Sequence, residues 1–356
     1  MAQRRDAAGR RSAACGRATR SRRCRLSANA RTFGSFRISG PPDEAAFCME
    51  TREMRFNRLD LNLLVTLDAL LDDRRITRAA ERLNLSQSAI SGMLAKLREY
   101  FDDELLVPVG RNLELTPLAR ELVQPVRDLL LQVQTIVAID PAFEPANARR
   151  HFKIATSDYV INVLMHRLIP VIEPLAPYLT LELMPQEDAP ERLRRGEYDF
   201  LIIPEPFKAD DHPAIALFDD SYVGVVWNGN RAVGASIDVA RYEQLDHVAT
   251  LLGWPRLPSY DSRYVEAQGI RRRVRVTTSD FTSMAPVLIG TQMIATMHRR
   301  LATELTRRMP LRLVELEFPI PQMREFLQWH EYREKDPCHR WLREQIISVA
   351  AGLAAQ

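Results

Sequence analysis

ITRAAERLNLSQSAISGMLAKLREYF, residues 76–101, holds two helical periods separated by a turn. Thr77 is placed to cap the first, Ala79 and Ala80 are small enough for close helix packing, and Leu83 closes its apolar face. Asn84 suits a turn needing positive φ. Ser86 then caps a longer helix running to about Tyr100. At 100° per residue, Ile90, Met93, Leu94, Leu97 and Phe101 share one face, and Ser88, Ser91, Gly92 and Ala95 share the other. A solvated surface normally carries Glu and Lys, whereas a face of small residues flanked by Gln87, Lys96 and Arg98 suits close approach to base edges in a major groove. The competing explanation is a small-residue helix interface inside the protein.

Working upstream, Leu61, Leu64, Val65, Leu67 and Leu71 recur at helical spacing after Asp60 and predict a first amphipathic helix ending near Asp72 and Asp73. Downstream, Leu105–Val109 and Leu113–Leu115 read as short strands joined by Gly110-Arg111-Asn112. This is a wing with Arg111 at its tip, placed for phosphate or minor-groove contact. Helix, helix, turn, helix and wing form a winged helix-turn-helix over residues 54–116, its central motif at about 76–95. Candidate DNA contacts are Thr77, Ser86, Gln87, Ser88, Ser91, Lys96, Arg98 and Arg111.

Thr116 and Pro117 start a long helix as N-cap and first helical residue. Leu122, Val126, Leu129, Val133 and Ile136 step along it as a heptad seam interrupted by Pro125. We read 117–144 as a dimerisation helix and hinge, the hinge at Asp140–Pro145. Packing against its own chain is the alternative.

From 145 to 350 strands alternate with helices: His151–Ala155, a helix to Leu175, Thr180–Met184, a short helix to Gly196, then Asp199–Ile203. This predicts an α/β domain with largely parallel sheets. KIATSDY (153–159) is echoed by RVTTSDF (275–281), each a strand ending in Thr-Ser-Asp-aromatic. Two echoes half a domain apart predict two lobes with a ligand at the strand ends. Candidate contacts are Thr156, Ser157, Thr278 and Ser279, with Pro204 just beyond the Asp199–Ile203 strand. Because Asp158 and Asp280 place negative charge at both helix starts, a neutral phenolic or flavonoid-like ligand is expected over a carboxylate.

Composition excludes other classes. Apolar residues at 46% and charged residues at 27% are ordinary globular values, and no stretch nears the roughly 18 apolar residues of a membrane span. The net charge of +3 conceals 11 Arg and one acid in residues 1–40, leaving −7 for the remainder. Residues 1–53 lack periodicity. They read as a transit-like leader, a basic arm on DNA, or sequence upstream of a start at Met54. With no CxxC, a disulfide framework or zinc knuckle is not expected, and a reducing, cytoplasmic location is. His330, Cys338 and His339 lack metal-site spacing and read as a surface cluster. The basic run Arg271–Arg275 reads as a strand or lobe edge. No GxSxG, P-loop or HExxH occurs, so neither an enzyme nor a cofactor is expected.

LDLNLLVTLDALL, ITRAAERLNLSQSAISGMLAKLREYF and LLVPVGRNLELTP together resemble the DNA-binding domain and linker helix of LysR-type transcriptional regulators. MRFNRLDLNLL and DPAFEPANARRHFKIATSD are most similar to nodulation protein D and relatives that sense aromatic compounds. The resemblance covers about residues 54–350. It implies a homodimer or homotetramer on double-stranded promoter DNA that works with RNA polymerase. It also implies a two-lobed, periplasmic-binding-protein-like effector domain that takes a small aromatic inducer and activates divergent or nodulation genes. A ligand-insensitive repressor is the alternative. Family base contacts carry over to Gln87, Ser88 and Ser91, and the wing contact to Arg111. Many members have Gln-Pro after the capping Ser; here the pair is Gln87-Ser88, which leaves the base preference open.

Overall fold

The computed structural model describes residues 59–356 apart from Arg111, 138–142, 254–255 and 355–356. The readings of residues 1–53, of Met54 and of residues 140–142 of the hinge therefore lie outside the described residues.

Three helices, α1 (Leu61–Asp73), α2 (Ile76–Leu83) and α3 (Gln87–Phe101), precede a two-stranded wing, β1 (Leu106–Val109) and β2 (Asn112–Leu115), paired antiparallel. Asp60 caps α1 through Asn62 N–H, and Asn84 ends α2 at φ 52°. Two expectations change. Thr77 caps nothing: the N-cap of α2 lies two residues earlier, at Arg75, with no side-chain cap, so Thr77 lies exposed inside the first turn. On α1 the buried stripe is Leu63, Leu64, Leu67, Leu70 and Leu71, while Leu61 and Val65 are exposed. The shift arises because α1 packs against α2, α3 and the next helix together, and so buries a broad face.

That next helix, α4 (Pro117–Val137), is capped by Thr116, whose Oγ1 accepts from Ala119 N–H at 3.1 Å. Its expected seam divides. Val126 is buried against the core of the first domain, Leu122 and Val133 are half-buried, and Leu129 and Ile136 are exposed. Arg127, almost fully buried, pairs with Asp68 and Asp72 of α1. Beyond it, Thr135 Oγ1 donates to Tyr332 O at 2.7 Å, and Leu131 packs where a Cβ on Gly196, at φ 67°, would overlap it. One helix thus contacts both domains.

The remainder forms two lobes. In the first, β3 (His151–Ala155), β4 (Thr180–Met184), β5 (Phe200–Pro204), β6 (Ala214–Asp220) and β14 (Met323–Gln328) make a sheet in the order β4-β3-β5-β14-β6. A helical run from Asp158 to Ile172, with a π-turn over Ile161–Met165, and the C-terminal helix Pro337–Ala354 cover it. In the second, the sheet order is β10-β9-β12-β7-β13-β8. It contains β7 (Tyr222–Trp227), β8 (Ser236–Ile237), β9 (Asp246–Leu252), β10 (Leu257–Pro258), β12 (Ile294–His298) and β13 (Leu311–Leu316), with β11 (Arg273–Thr278) against β9.

The two-lobed α/β expectation holds, but the sheets are mixed rather than largely parallel. β14 is antiparallel to both β5 and β6, and β7 is antiparallel to both β12 and β13. The chain passes from β6 to β7 across Ser221 alone and returns between β13 and β14, and these crossover strands reverse direction within each sheet. One buried apolar cluster runs through both lobes, from Phe152 and Phe200 to Val225 and Met297. His330, Cys338 and His339 are not a surface cluster: all three are buried, and His339 stacks on Phe200 at 4.0 Å. The basic run does edge a strand. Arg273 and Arg275 lie exposed on β11 beside Asp246, and the half-buried Arg272 pairs with Asp261.

Candidate nucleic-acid interface and ligand cleft

The helix α3 begins at Ser86, whose Oγ accepts from Ala89 N–H at 3.2 Å and lies 2.9 Å from Ser88 Oγ. Ile90, Leu94 and Leu97 turn into the core, and Gln87, Ser88, Ser91, Gly92, Ala95 and Lys96 are exposed. A Cβ added at Gly92 would meet nothing within 4 Å. Packing among the described residues therefore does not require a glycine at position 92.

Arg98 is engaged differently from the expectation. Its Nε donates to Glu104 O at 2.8 Å and its Nη2 to Leu106 O at 3.0 Å, tying α3 to the base of the wing. Thr77 lies exposed on α2, and Arg111 falls outside the described residues.

Between the lobes lies a cavity of about 600 Å³. The ends of β3, β4 and β5 wall it on one side, the ends of β9, β12 and the Ser279–Phe281 turn on the other, and β14 contributes Met323 and Glu325. Thr156, Ser157, Pro204 and Ser279 all line it. Thr278 does not: its hydroxyl donates to Asp280 O at 2.8 Å and meets Thr250 Oγ1 at 3.2 Å. Ser157 caps the following helix through Val160 N–H at 3.3 Å.

The two acids of the echo are both engaged by donors. Asp158 accepts from backbone amides of the other lobe. Asp280 accepts from Ser283 N–H and Oγ, each at 2.8 Å, and from the hydroxyls of Thr282 and Ser279. Despite partial desolvation, these bonds hold the Asp280 carboxyl below its usual range.

Sequence reasoning missed the aromatic and buried polar part of the cleft. Tyr159 stacks on His298 at 4.0 Å, and Phe281 meets the same ring edge-on at 4.6 Å. Tyr159 OH donates to Asp220 Oδ2 at 2.8 Å beside the Ser221 crossover. Desolvation and these acids raise the Tyr159 phenol well above its usual range, so it stays a donor. The aromatics closing both echoes were the available signal. His298 and Glu325 carry none, because neither belongs to a motif.

Residues 145–351 match the LysR substrate binding domain, and residues 61–120 match the bacterial regulatory helix-turn-helix protein, lysR family. The chain is 40% identical over 304 residues to nodulation protein D of Bradyrhizobium sp. (strain ANU 289), covering 85% of this chain and 90% of that protein. It is 41% identical over 300 residues to nodulation protein D 2 of Rhizobium tropici, covering 84% and 95%. Among solved structures, a probable transcriptional regulator of Pseudomonas aeruginosa, PA0477, aligns over 82% of this chain and 98% of its own, with TM-score 0.56 and 27% identity. Full-length OxyR C199D from the same organism shares the fold at TM-score 0.62 and 19% identity, over 82% and 94%.

Proposed function

The chain belongs to the LysR family of bacterial transcriptional regulators, and from that premise we propose that it is an inducer-responsive activator, cytoplasmic and acting with RNA polymerase. A dimer lays α3 of each copy in successive major grooves. Gln87, Ser88 and Ser91 read base edges, Lys96 and the wing hold phosphates, and Arg98 keeps the wing in place. The exposed apolar residues of α4, Leu129, Ile136 and Val137, are left for a second copy. A small aromatic, flavonoid-like inducer enters the inter-lobe cleft and shifts the lobes through its different affinity for two arrangements.

The observation that carries the DNA reading is the exposed small-residue face of α3, with open space at Gly92. The inducer reading rests on the aromatic-walled cavity that takes in four of the five candidate contacts. Nodulation protein D homology supports the nodulation and aromatic-response setting.

The test is a footprint of the protein on its own upstream intergenic DNA, with and without a panel of flavonoids and simple aromatics. A compound that shortens the protected region or removes a bend-induced hypersensitive site is the expected result. An identical footprint with every compound would replace this reading with ligand-insensitive repression.

A further inference from the structure

The linker helix α4 rests on the first lobe through side-chain contacts along its length. Besides Thr135, which donates to Tyr332 O, Gln134 Oε1 accepts from Arg333 Nη2 at 3.0 Å and Gln124 Nε2 donates to Arg194 O at 3.3 Å. Tyr332 and Arg333 belong to one turn, Glu331–Arg333, and that turn is capped by a histidine: Tyr332 N–H donates to His330 Nδ1 at 3.3 Å. A capping side chain supplies the acceptor that a backbone N–H at the start of a helical turn otherwise lacks. Ser, Thr and Asn supply it at any pH at which the chain is folded. Histidine supplies it only while Nδ1 carries no hydrogen, which places the one hydrogen of the neutral ring on Nε2.

The ring is poorly placed to take a second hydrogen. His330 is 3% exposed, and its ring meets those of His212 and Tyr332, in each case with centroids 4.8 Å apart. His212, half-buried beside it, has no hydrogen-bond partner for either ring nitrogen among the described residues. The charges that face the pair are Asp128 of α4, Asp211 in the loop before β6, Arg194 at the end of the helix Ala189–Arg194, and Glu331 and Arg333 of the capped turn. Two of the carboxylates are already engaged: Asp211 accepts from Arg194 Nε and Asp128 from Gln124 Nε2, both at 2.8 Å. Burial, with His212 alongside, outweighs their attraction and brings the pKa of His330 down to about 4, and burial lowers that of His212 as well. A proton added to His330 goes to Nδ1 and sets two donors, Nδ1–H and the Tyr332 N–H, against each other.

We propose that His330, covered by His212, is a proton-sensitive catch on the linker: the neutral ring holds α4 on the first lobe through the Glu331–Arg333 turn, and protonation uncaps the turn and releases that end of the helix. The same helix carries Arg127, paired with Asp68 and Asp72 of α1, so release changes how the DNA-binding domain is held against the first lobe. Neither histidine lines the inter-lobe cleft, and the catch acts without a ligand there. In the released state His330 returns to its ordinary value of 6.5, so release takes up a proton and is favoured as the pH falls from about 7 toward 5.

The test uses the full chain without DNA or small molecules. Hydrogen exchange of the amides of residues 129–137, the end of α4, is compared at each pH with that of His330→Asn, which caps without titrating, so that the intrinsic pH dependence of exchange cancels. Opening of this segment in the wild type is expected to increase about tenfold relative to the variant between about pH 7 and pH 5.5. Exchange of the His330 ring C2 hydrogen, followed by mass spectrometry, reads its pKa in the wild type and does not depend on any variant folding. A value of about 4 is expected, and Thr135→Val, which weakens the seam from the α4 side, should move it upward. A wild-type opening curve parallel to that of His330→Asn, a His330 value near 6.5 in the intact chain, or a value unmoved by Thr135→Val would overturn the proposal.

Discussion

Asp158, from the first lobe, accepts a hydrogen bond from the backbone N–H of Thr282 in the second at 2.8 Å. The neighbouring N–H of Phe281 reaches the other carboxylate oxygen at 3.1 Å. A charge that the sequence would leave facing a ligand is thus a clasp between lobes.

Removing the clasp should open the cleft without unfolding either lobe. Asp158→Ala strands two amide donors and is expected to cost about 1–3 kcal/mol of lobe closure. Hydrogen exchange at Phe281 and Thr282 should quicken, and the radius of gyration should rise in small-angle scattering. Unchanged exchange at both amides would show that the clasp is not what holds the lobes.

Residues of α3 should separate into those that build it and those that use it. Ser86→Ala removes the cap and should lower stability by about 1 kcal/mol. Gln87→Ala and Ser91→Ala, both exposed, should leave thermal unfolding unchanged and relax base discrimination by ~1–3 kcal/mol per lost contact. Competition binding on a randomised operator reads the second effect; an equal loss on all sequences would contradict the assignment of the reading face.

Two cations two residues apart on α3 should behave oppositely. Lys96→Ala is expected to reduce the salt dependence of DNA binding by about one unit of slope. Arg98→Ala should release the base of the wing from Glu104 O and Leu106 O. It should therefore lower stability by about 1–3 kcal/mol while affinity falls similarly for every sequence. A change in the salt slope from Arg98→Ala alone would make it a phosphate contact.

Glu325 should also be visible in stability against pH. Its pKa is about 8 in the folded chain against an ordinary 4.5. Between those values the folded state holds a proton that the unfolded state has lost. Stability therefore falls as pH rises through that window, by up to about 1.4 kcal/mol per pH unit. Glu325→Gln lacks this dependence, so denaturant midpoints should show its advantage over wild type growing from about pH 5 to pH 8. Parallel curves would mean that Glu325 is ionised in the fold.

The helix-turn-helix was readable because caps and periodicity act within a few residues: Ser86, Asn84, Thr116 and the Ile90, Leu94, Leu97 face all stand where local patterning puts them. The cap of α2 was misplaced by two residues, at Thr77, and Leu61 and Val65 were misassigned to the α1 stripe, since a helix start without a side-chain cap and a face packed on three partners leave no local mark. In the cleft, Thr156, Ser157 and Ser279 were visible through their repeat. His298 and Glu325 were not, because their meaning depends on where β12 and β14 lie in the assembled sheets. The mixed sheets were hidden for the same reason, being set by strands that change lobes.

The position of β14 bears on how the chain comes to be folded at all. In the first lobe it lies between β5 and β6, although more than a hundred residues separate it from either in sequence. During synthesis, β5 and β6 therefore have no neighbour on their facing edges until the whole second lobe has emerged. Unpaired edges of this kind recruit other chains, and pairing across such separation is slow. Truncations ending anywhere between about residues 221 and 322 should thus accumulate as aggregates rather than as a folded half, and assembly should proceed as a single late event.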